Sequence, residues 1–405
     1  MTLTFSGATG RLMMMENKVS KISAKVDQNF LWWNSSAGNN VNSTQTSGAY
    51  IFRPNGTAPF EINGSIAKTK VIDGPVFTAV IQEWAPWLYQ TISLLKTPAS
   101  PTAIFSYIVG PIPFQDGLGK EIISRFTTDL NTKSKFYTDS NGRQMLERVR
   151  NYRPTWKYNN TEPVTGNYYP VDSRIFIKDE DRGVQFTVMN DRAQGGSSLN
   201  DGQLELMVHR RTLYDDFRGV GEPLNETGQT GEGLIITGVH VAILDNFVNS
   251  TIYHRIIGED LMLRPQYPIT PSNLSYADWI GKYPSYSVGL TVDLPLNVHL
   301  LTLERLDHTH HLLRLEHQYP IDEAPLNTTA NVTLEELFQE MKVVAVVELG
   351  LGGNALLSDI HRLHWNTASS RTRGGRRPTE KLSPPFTIEL KPMEIRTFNI
   401  TVTYY

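Results

Sequence analysis

The chain has 405 residues, 40% of them hydrophobic and 20% charged, with a formal net charge of −3 and no cysteine. This length predicts two or three domains, because one core rarely covers so many residues. The charge argues against nucleic acid as the main partner, since lysine and arginine are not in excess. The missing cysteines exclude disulfides, thiol nucleophiles and cysteine-based zinc sites. No apolar run approaches the roughly 20 residues that span a bilayer, so no membrane partner is expected.

The N-terminal stretch MTLTFSGATGRLMMMENKVS predicts a strand, a glycine-containing turn and a second strand. It lacks the charged segment and apolar core of a signal peptide. We therefore expect a piece of a longer precursor, in which Met1 need not be the initiator.

Further along the chain, alternating patterns and short apolar runs predict strands separated by Gly, Pro, Asn and Asp. These strands cover residues 50–52, 76–81, 91–95, 103–109, 175–177, 185–189, 203–208, 234–244, 298–303, 312–316, 343–349 and 398–403. Only residues 332–341 have a clear helical period, with Leu334, Leu337 and Met341 on one face. The pattern is typical of a mainly β protein built from antiparallel β-sandwiches.

The proline-rich segments QYPITPSN (266–273) and KYPSYSVG (282–289) indicate a domain boundary near residue 287. We expect a large β domain over residues 1–287 and a terminal β-sandwich domain over residues 288–405.

Asn-x-Ser/Thr sequons are more frequent than chance pairing would give, which indicates surface loops of a glycoprotein in the secretory pathway. A surface rich in Asn, Ser and Thr but without glycans is the alternative. The sequons are at Asn34, Asn42, Asn55, Asn63, Asn159, Asn225, Asn249, Asn273, Asn327, Asn331 and Asn399.

The histidine-rich stretch DHTHHLLRLEH contains His308, His310, His311 and His317. Two histidines on one face of a strand suit zinc. No cysteine or well-placed carboxylate completes the site, so solvent-facing strand histidines are favoured and no metal site is predicted in this chain.

Two loops carry the candidate binding groups. In LELMVHRRTLYDDFRGVGEPLNET (204–227), Asp215 and Asp216 are expected to pair with Arg210 and Arg211, and with Arg218. Gly219 and Gly221 then permit a tight turn that presents the Arg218 guanidinium to hydroxyls or to a carboxylate.

In SGAYIFRPNG (47–56), Tyr50 lies beside a strand-end loop. Its hydroxyl suits a sugar while its ring packs, although a core or rim position is the alternative.

Four motifs in order resemble glycoside hydrolase family 38, the class II α-mannosidases, and their lysosomal or plant vacuolar branch in particular. They are SGAYIFRPNG, FYTDSNGRQMLERVRNYRPTW (136–156), QGGSSLNDGQLELMVHRR (194–211) and DDFRGVGE (215–222). LPLNVHLLTLERLDHTHHLLRLEHQY (294–319) resembles the start of the terminal β-domain of that branch. The resemblance implies the C-terminal half of such an enzyme, with a β super-sandwich followed by a terminal β-sandwich.

The resemblance also implies a zinc-dependent retaining glycosidase that removes α-mannose from N-glycans. The zinc ligands, the aspartate nucleophile and the acid/base carboxylate of the family belong to an N-terminal region that this sequence does not match. We therefore expect zinc and both carboxylates in a partner chain from the same precursor, and a higher oligomer of such heterodimers.

For this chain the resemblance implies that Tyr50 and Arg218 contact the sugar. Asp216 and Arg211 are expected to support these two residues without contacting the sugar themselves. It also implies a vacuolar, lysosomal or secreted protein. The alternatives are a stand-alone carbohydrate-binding β-protein and a purely structural β-scaffold.

Overall fold

The computed structural model describes residues 1–37, 45–96, 101–283, 288–360 and 382–405. The chain divides into two compact units, Met1–Arg264 and Pro265–Tyr405. Residue 287, the predicted boundary, lies outside the described residues. Both units consist mainly of antiparallel sheets, which confirms the predicted mainly β fold class.

The first unit contains seventeen strands in its described residues. They are β1 Thr2–Phe5, β2 Leu12–Asn17, β3 Ile22–Asn34, β4 Phe60–Glu61, β5 Lys68–Asp73, β6 Phe77–Ala85, β7 Leu88–Leu95, β8 Thr102–Val109, β9 Lys120–Thr128, β10 Lys135–Ser140, β11 Gln144–Val149, β12 Tyr169–Val171, β13 Arg174–Asp179, β14 Val184–Asn190, β15 Gln194–Ser197, β16 Gln203–Arg211 and β17 Ile236–Asn246. Short 3-10 helices cover Asn63–Ser65 and Thr165–Asn167. The predicted strand–turn–strand at the N-terminus is confirmed as β1 and β2, with Gly10 at φ 69° in the turn between them.

These strands form two sheets within the described part of the unit. One has the order β1-β2-β3-β9-β16-β15-β12, with β4 paired to β3. The other has the order β11-β10-β13-β14-β17-β8-β7-β6-β5.

The two sheets of the first unit pack face to face. Phe126 on β9 of the first sheet lies between Phe105 and Phe186 on the second, with ring centroids 5.3 and 5.7 Å apart. All three rings are fully buried. Burial of each contributes about 2 kcal/mol, so the aromatic contacts across the interface help to hold the sandwich together.

Helix α1, Phe247–Met262, follows β17 directly and was not predicted from the sequence. Asn246 caps it by accepting a hydrogen bond from the N–H of Asn249. The fully buried residues of the helix are small or polar, namely Ser250, Thr251, His254, Arg255 and Gly258. Beside them Tyr253, Ile257 and Leu261 are partly buried against an apolar cluster of the sheet. Because polar residues share the packed face, the apolar period by which helices are recognised is weak in this sequence.

The second unit contains β18 Val298–Arg305, β19 His310–His317, β20 Ala330–Thr333, β21 Met341–Leu349, β22 Thr387–Leu390 and β23 Ile395–Tyr404, helix α2 Tyr276–Lys282 and a 3-10 helix Leu357–Asp359. As far as the structure describes them, the strands form a sheet of order β18-β19-β23-β21 and the pair β20-β22. Leu313, Val343, Ile388 and Phe398 join the two sheets in one buried core. No described helix is both long and apolar enough to cross a bilayer.

The predicted helix over residues 332–341 is wrong. Residues 332 and 333 end β20, and Met341 begins β21. The hydroxyl of Thr333 lies 3.1 Å from that of Thr387 on the paired strand. Leu334 and Leu337 are buried because a turn inserts them into the core, so their spacing reflects packing and not a helical face.

Candidate functional site

The loops that contain Tyr50 and Arg218 are joined by the carboxylate of Asp216. Its Oδ2 accepts hydrogen bonds from the backbone N–H groups of Tyr50 at 2.7 Å and Ile51 at 3.1 Å. Its Oδ1 accepts one from the N–H of Arg218 at 3.1 Å. Asp216 is 1% exposed, so water does not compete for these bonds. One buried side chain therefore fixes the backbone at both predicted sugar-contacting residues.

Residues 50–52, predicted as a strand, lie in a loop with no strand assignment. The prediction is wrong because their N–H groups have other acceptors: those of Tyr50 and Ile51 donate to Asp216. The N–H of Gly48 donates to the carbonyl of Ile51 and closes a turn. The alternation of Tyr50 and Phe52 thus reflects a turn held by a distant carboxylate.

Gly48 is required by the close approach of the two loops. A Cβ atom at position 48 would lie 2.6 Å from the Cβ of Asp216 and 2.8 Å from its backbone nitrogen. Such distances are not tolerated between carbon and backbone atoms, so the glycine permits the contact between the loops.

Gln45 makes a second link between the loops. Its Nε2 donates to the carbonyl oxygen of Asp216 at 2.8 Å, and its Oε1 accepts from Nη2 of Arg218 at 2.6 Å. A neutral amide therefore orients the guanidinium without neutralising it. Arg218 is exposed and forms no salt bridge with any described carboxylate.

A buried ion pair between Glu121 and Arg210 holds the loop that contains Tyr50. Glu121 on β9 is fully buried and accepts hydrogen bonds from Nε of Arg210 at 2.8 Å and from the Ser47 hydroxyl at 3.1 Å. Nη2 of Arg210 also donates to the carbonyl of Ile51 at 2.8 Å. Burial raises the pKa of Glu121, while the positive charge of Arg210 and the hydroxyl of Ser47 oppose that shift. Neither Glu121 nor strand β9 was predicted from the sequence, because the charged residues in KEIISRFTT obscure the pattern of a buried strand.

The predicted pairing of Asp215 and Asp216 with the arginines is wrong. Arg210 pairs with Glu121, and Asp216 binds backbone N–H groups. Arg211 lies with its guanidinium carbon 4.0 Å from the ring centroid of Phe114. Arg211 therefore packs away from the Asp216 contacts, and the structure unites Tyr50, Asp216 and Arg218 without it.

Tyr50 and Arg218 present their side chains outward. Tyr50 is 66% exposed, and its hydroxyl has no hydrogen-bond partner among the described residues. Phe217, between Asp216 and Arg218, has φ 55° and is half exposed. The backbone is thus rigid while the aromatic and guanidinium groups remain free to contact a ligand.

The cavity beside these loops is small. It has a volume of about 110 Å³ and is lined in part by Ser35, Thr46, Ser47 and Tyr214. Pockets that bury small ligands begin at about 300 Å³. The described residues of this chain therefore do not enclose a sugar by themselves at this place.

The histidine stretch is not solvent-facing throughout, which corrects that expectation. His311 and His317 are buried, and His308 lies in the turn before β19. His310 Nδ1 lies 2.9 Å from the carboxylate of Asp307. Among the described residues, no three His, Asp or Glu side chains come together as a metal site.

The sequon asparagines differ in exposure. Six are exposed, namely Asn55, Asn63, Asn159, Asn225, Asn273 and Asn331. Four are partly buried, namely Asn34, Asn249, Asn327 and Asn399. Asn42 lies outside the described residues, and glycosylation of all eleven stays a prediction.

Comparison with known proteins gives matches along nearly the whole chain. The family model for the glycosyl hydrolases family 38 C-terminal domain matches residues 1–218, and that for the family 38 C-terminal beta sandwich domain matches residues 297–398. The first match includes Tyr50, Asp216 and Arg218.

Two relatives illustrate the similarity. Lysosomal alpha-mannosidase of Felis catus is 45% identical over 99% of this chain and 39% of its own length. Alpha-mannosidase of Canavalia ensiformis is 38% identical over 98% of this chain and 41% of its own length. The chain thus spans about two fifths of the length of the curated relatives it matches.

An alpha-mannosidase from Enterococcus faecalis V583 has a similar fold. Its crystal structure matches with a TM-score of 0.62 at 13% identity, over 98% of this chain and 41% of the other. At this identity the match supports the fold alone. Together, the two family models and the relatives that extend along the chain show that it belongs to glycosyl hydrolase family 38, as the C-terminal half of that family's proteins.

Proposed function

We propose that this chain is the C-terminal, non-nucleophilic part of a retaining α-mannosidase that hydrolyses terminal α-mannose residues of N-glycans. The observation that carries the proposal is the Asp216 carboxylate, which fixes the backbone of Tyr50 and Arg218 while both side chains stay exposed. The names of the relatives support an α-mannosidase.

The two exposed side chains suit a sugar. The Arg218 guanidinium is a planar donor that Gln45 orients from one side, so its remaining N–H groups can donate to sugar hydroxyls. The Tyr50 hydroxyl can donate or accept a further hydrogen bond. Rigid loops reduce the entropy lost when such groups bind a substrate.

Neither buried carboxylate at this site is suited to act as the nucleophile. Asp216 is held by three backbone N–H groups, and Glu121 is held by Arg210 and Ser47. We therefore place the nucleophile and the acid/base carboxylate of a retaining enzyme in a partner chain from the same precursor. The part of the relatives' length that this chain does not cover offers room for both.

Zinc is also assigned to that partner chain. The described residues of this chain bring no three His, Asp or Glu side chains together, so they do not fit a zinc site.

The proposal extends to assembly and location. We propose an oligomer of heterodimers in a lysosome or vacuole, reached through the secretory pathway. The relatives named lysosomal alpha-mannosidase and the enriched sequons support that location.

The test is kinetic and uses the full-length protein. Arg218→Ala is expected to lower kcat/KM for an aryl α-mannoside at least about tenfold, the effect of losing about 1.4 kcal/mol of transition-state binding. Tyr50→Phe, which removes only the hydroxyl, separates that hydrogen bond from ring contact. The melting temperature should stay unchanged in both variants because both side chains are exposed.

The matched control is Arg305→Ala, which removes an exposed arginine of the second unit. If Arg218→Ala retains the parent kcat/KM, Arg218 does not contact the sugar. If the full-length protein shows no α-mannosidase activity at all, a carbohydrate-binding or structural role takes its place.

A further inference from the structure

A second candidate site lies on the other sheet of the first unit. A groove of about 300 Å³ crosses β7, β8 and β17 and is bordered by Asp191, Arg192 and Arg264. The loops of Tyr50 and Arg218 are attached instead to β3, β9 and β16 of the opposite sheet. The groove therefore belongs to neither the Asp216 contacts nor the cavity beside them.

The strand register defines the floor of the groove. In one row Tyr89 lies opposite Ile108, which lies opposite Thr237. In the next row Thr91 lies opposite Ser106. Since alternate residues of a strand point to opposite faces, these side chains share the outer face, while Tyr107 between them is buried.

This floor combines an aromatic ring with hydroxyl groups. Tyr89 is 38% exposed and Ile108 is 46% exposed. The hydroxyls of Thr91, Ser106 and Thr237 make no hydrogen bond to other described residues. The floor thus offers an apolar surface next to free donors and acceptors.

One wall of the groove carries oriented charges. Nε and Nη2 of Arg192 each donate to the carboxylate of Asp191 at 3.1 Å, and Nη2 of Arg264 lies 3.4 Å from it. The Asp191 side chain is 6% exposed, whereas Arg192 and Arg264 are 49% and 61% exposed. The carboxylate holds both guanidinium groups at the edge of the groove.

We propose that this groove binds a neutral sugar residue, as a carbohydrate site separate from that of Tyr50 and Arg218. The exposed face of Tyr89 suits the apolar face of a pyranose, and the strand hydroxyls with the arginines suit its hydroxyl groups. An anionic ligand is disfavoured because the guanidinium groups of Arg192 and Arg264 already form salt bridges with the buried Asp191 carboxylate. The volume lies at the lower limit for small-molecule sites, which fits one sugar residue.

The groove does not depend on the active site, but its assignment as a mannose-binding site rests on the proposed function. In that case it holds one branch of an N-glycan while another is hydrolysed. Branched glycans gain affinity from two linked contacts, since the second contact becomes intramolecular.

The experiment uses the full-length protein and an S-linked α-mannobiose, a thioglycoside that resists hydrolysis. Saturation-transfer NMR and calorimetric titration are expected to show two classes of site. Tyr89→Ala should weaken one class about tenfold or more, as truncation of an aromatic anchor does. Tyr89→Phe should retain most of the binding because it keeps the ring.

The matched control is Tyr276→Ala, which removes a tyrosine that is 82% exposed in the second unit. Arg218→Ala should weaken the other class of site only. Unchanged titration of Tyr89→Ala would overturn the groove while leaving the proposed function intact. Loss of a partner chain from Tyr89→Ala in native mass spectrometry, without loss of sugar binding, would show a protein interface and also overturn it.

Discussion

The carboxylate of Asp216 accepts a 2.7 Å hydrogen bond from the backbone N–H of Tyr50, although 166 residues separate them in the chain. The same carboxylate accepts from the N–H of Arg218. Two exposed side chains from distant parts of the sequence are therefore positioned by one buried anion. Their geometry depends on a residue that does not itself reach the surface.

Asp216→Asn tests this dependence. The amide is the same size as the carboxylate. Its NH₂ group, however, must face either the N–H groups of Tyr50 and Ile51 or that of Arg218, and it cannot accept a hydrogen bond from them. Because hydrogen bonds to a charged group contribute about 1.5–3 kcal/mol, we expect unfolding to become easier by about 2 kcal/mol. We also expect kcat/KM to fall at least about tenfold. Chemical unfolding and steady-state kinetics on the full-length protein measure the two effects.

Asp322→Asn serves as the control, because Asp322 is exposed and has no described hydrogen bond or ion pair. A variant of Asp216 with normal kinetics and normal stability would show that the loops hold their positions without the carboxylate. Loss of stability with normal kinetics would show that Asp216 stabilises the fold but does not position Tyr50 and Arg218 for activity.

Gly48→Ala tests the closeness of the two loops. The new methyl carbon would lie 2.6 Å from the Cβ of Asp216, so the backbone must move and the bonds to Asp216 lengthen. Overpacking of this kind costs about 1–3 kcal/mol, and we expect a matching fall in melting temperature together with reduced kcat/KM. Gly7→Ala is the control, since no atom lies within 4 Å of a Cβ there. Equal melting temperatures for the two variants would contradict the steric argument.

The fold class was predictable from the sequence because outward and inward side chains alternate along many strands. The composition of their loops singled out Tyr50 and Arg218 as candidate binding residues, and the resemblance to family 38 then assigned both to a sugar. Glu121 could not be found, because a buried acid within a strand resembles a surface acid until its partner Arg210 is placed beside it. The contacts of Asp216 could not be predicted either, because they are made to backbone N–H groups, which almost every residue has.

Helix α1 shows a second limit of prediction. Its buried face carries His254 and Arg255, and Arg255 donates a 2.9 Å hydrogen bond to the carbonyl of Gly142. These polar residues share the packed face with Tyr253, Ile257 and Leu261, which makes the apolar stripe hard to detect in the sequence. Conversely, Leu334 and Leu337 have helical spacing but lie in a turn.

His240 is expected to make the fold sensitive to acid. Burial lowers the pKa of His240 to about 3. The negative charge of Asp191 raises this pKa by a smaller amount, and the positive charge of Arg192 lowers it further. Its Nε2 lies 2.9 Å from Oε1 of Gln194. Between the ordinary histidine pKa of about 6.5 and the folded value, the unfolded chain binds the proton and the folded chain does not. Stability is therefore lost as the pH falls through this window.

His240→Gln removes this titration. Each pH unit inside the window contributes about 1.4 kcal/mol, so between pH 6.5 and 4.5 the variant should lose roughly 2–3 kcal/mol less than the parent. Urea unfolding at several pH values gives the slope, which does not depend on the packing cost of the substitution. Parallel pH slopes for parent and variant would show that His240 is protonated in the folded state as well.

The surroundings of the sequon asparagines predict which of them carry glycans. Asn159 is exposed, and no described residue bonds its side chain. Asn249 lies in helix α1, where its Nδ2, the atom that receives a glycan, donates to the buried carboxylate of Asp245 at 3.1 Å. Thr251 of the same sequon is buried. We therefore expect a glycan on Asn159 and none on Asn249.

Glycopeptide mass spectrometry of protein expressed in a glycosylating host measures both occupancies in one digest. Asn159→Gln should shift the mass by one glycan, whereas Asn249→Gln should leave it unchanged. A glycan on Asn249 would require the Asp245 bond to break and the start of helix α1 to move from the sheet. Its detection would thus contradict the packing of the helix, whereas an empty Asn159 would contradict the expectation drawn from its exposed side chain.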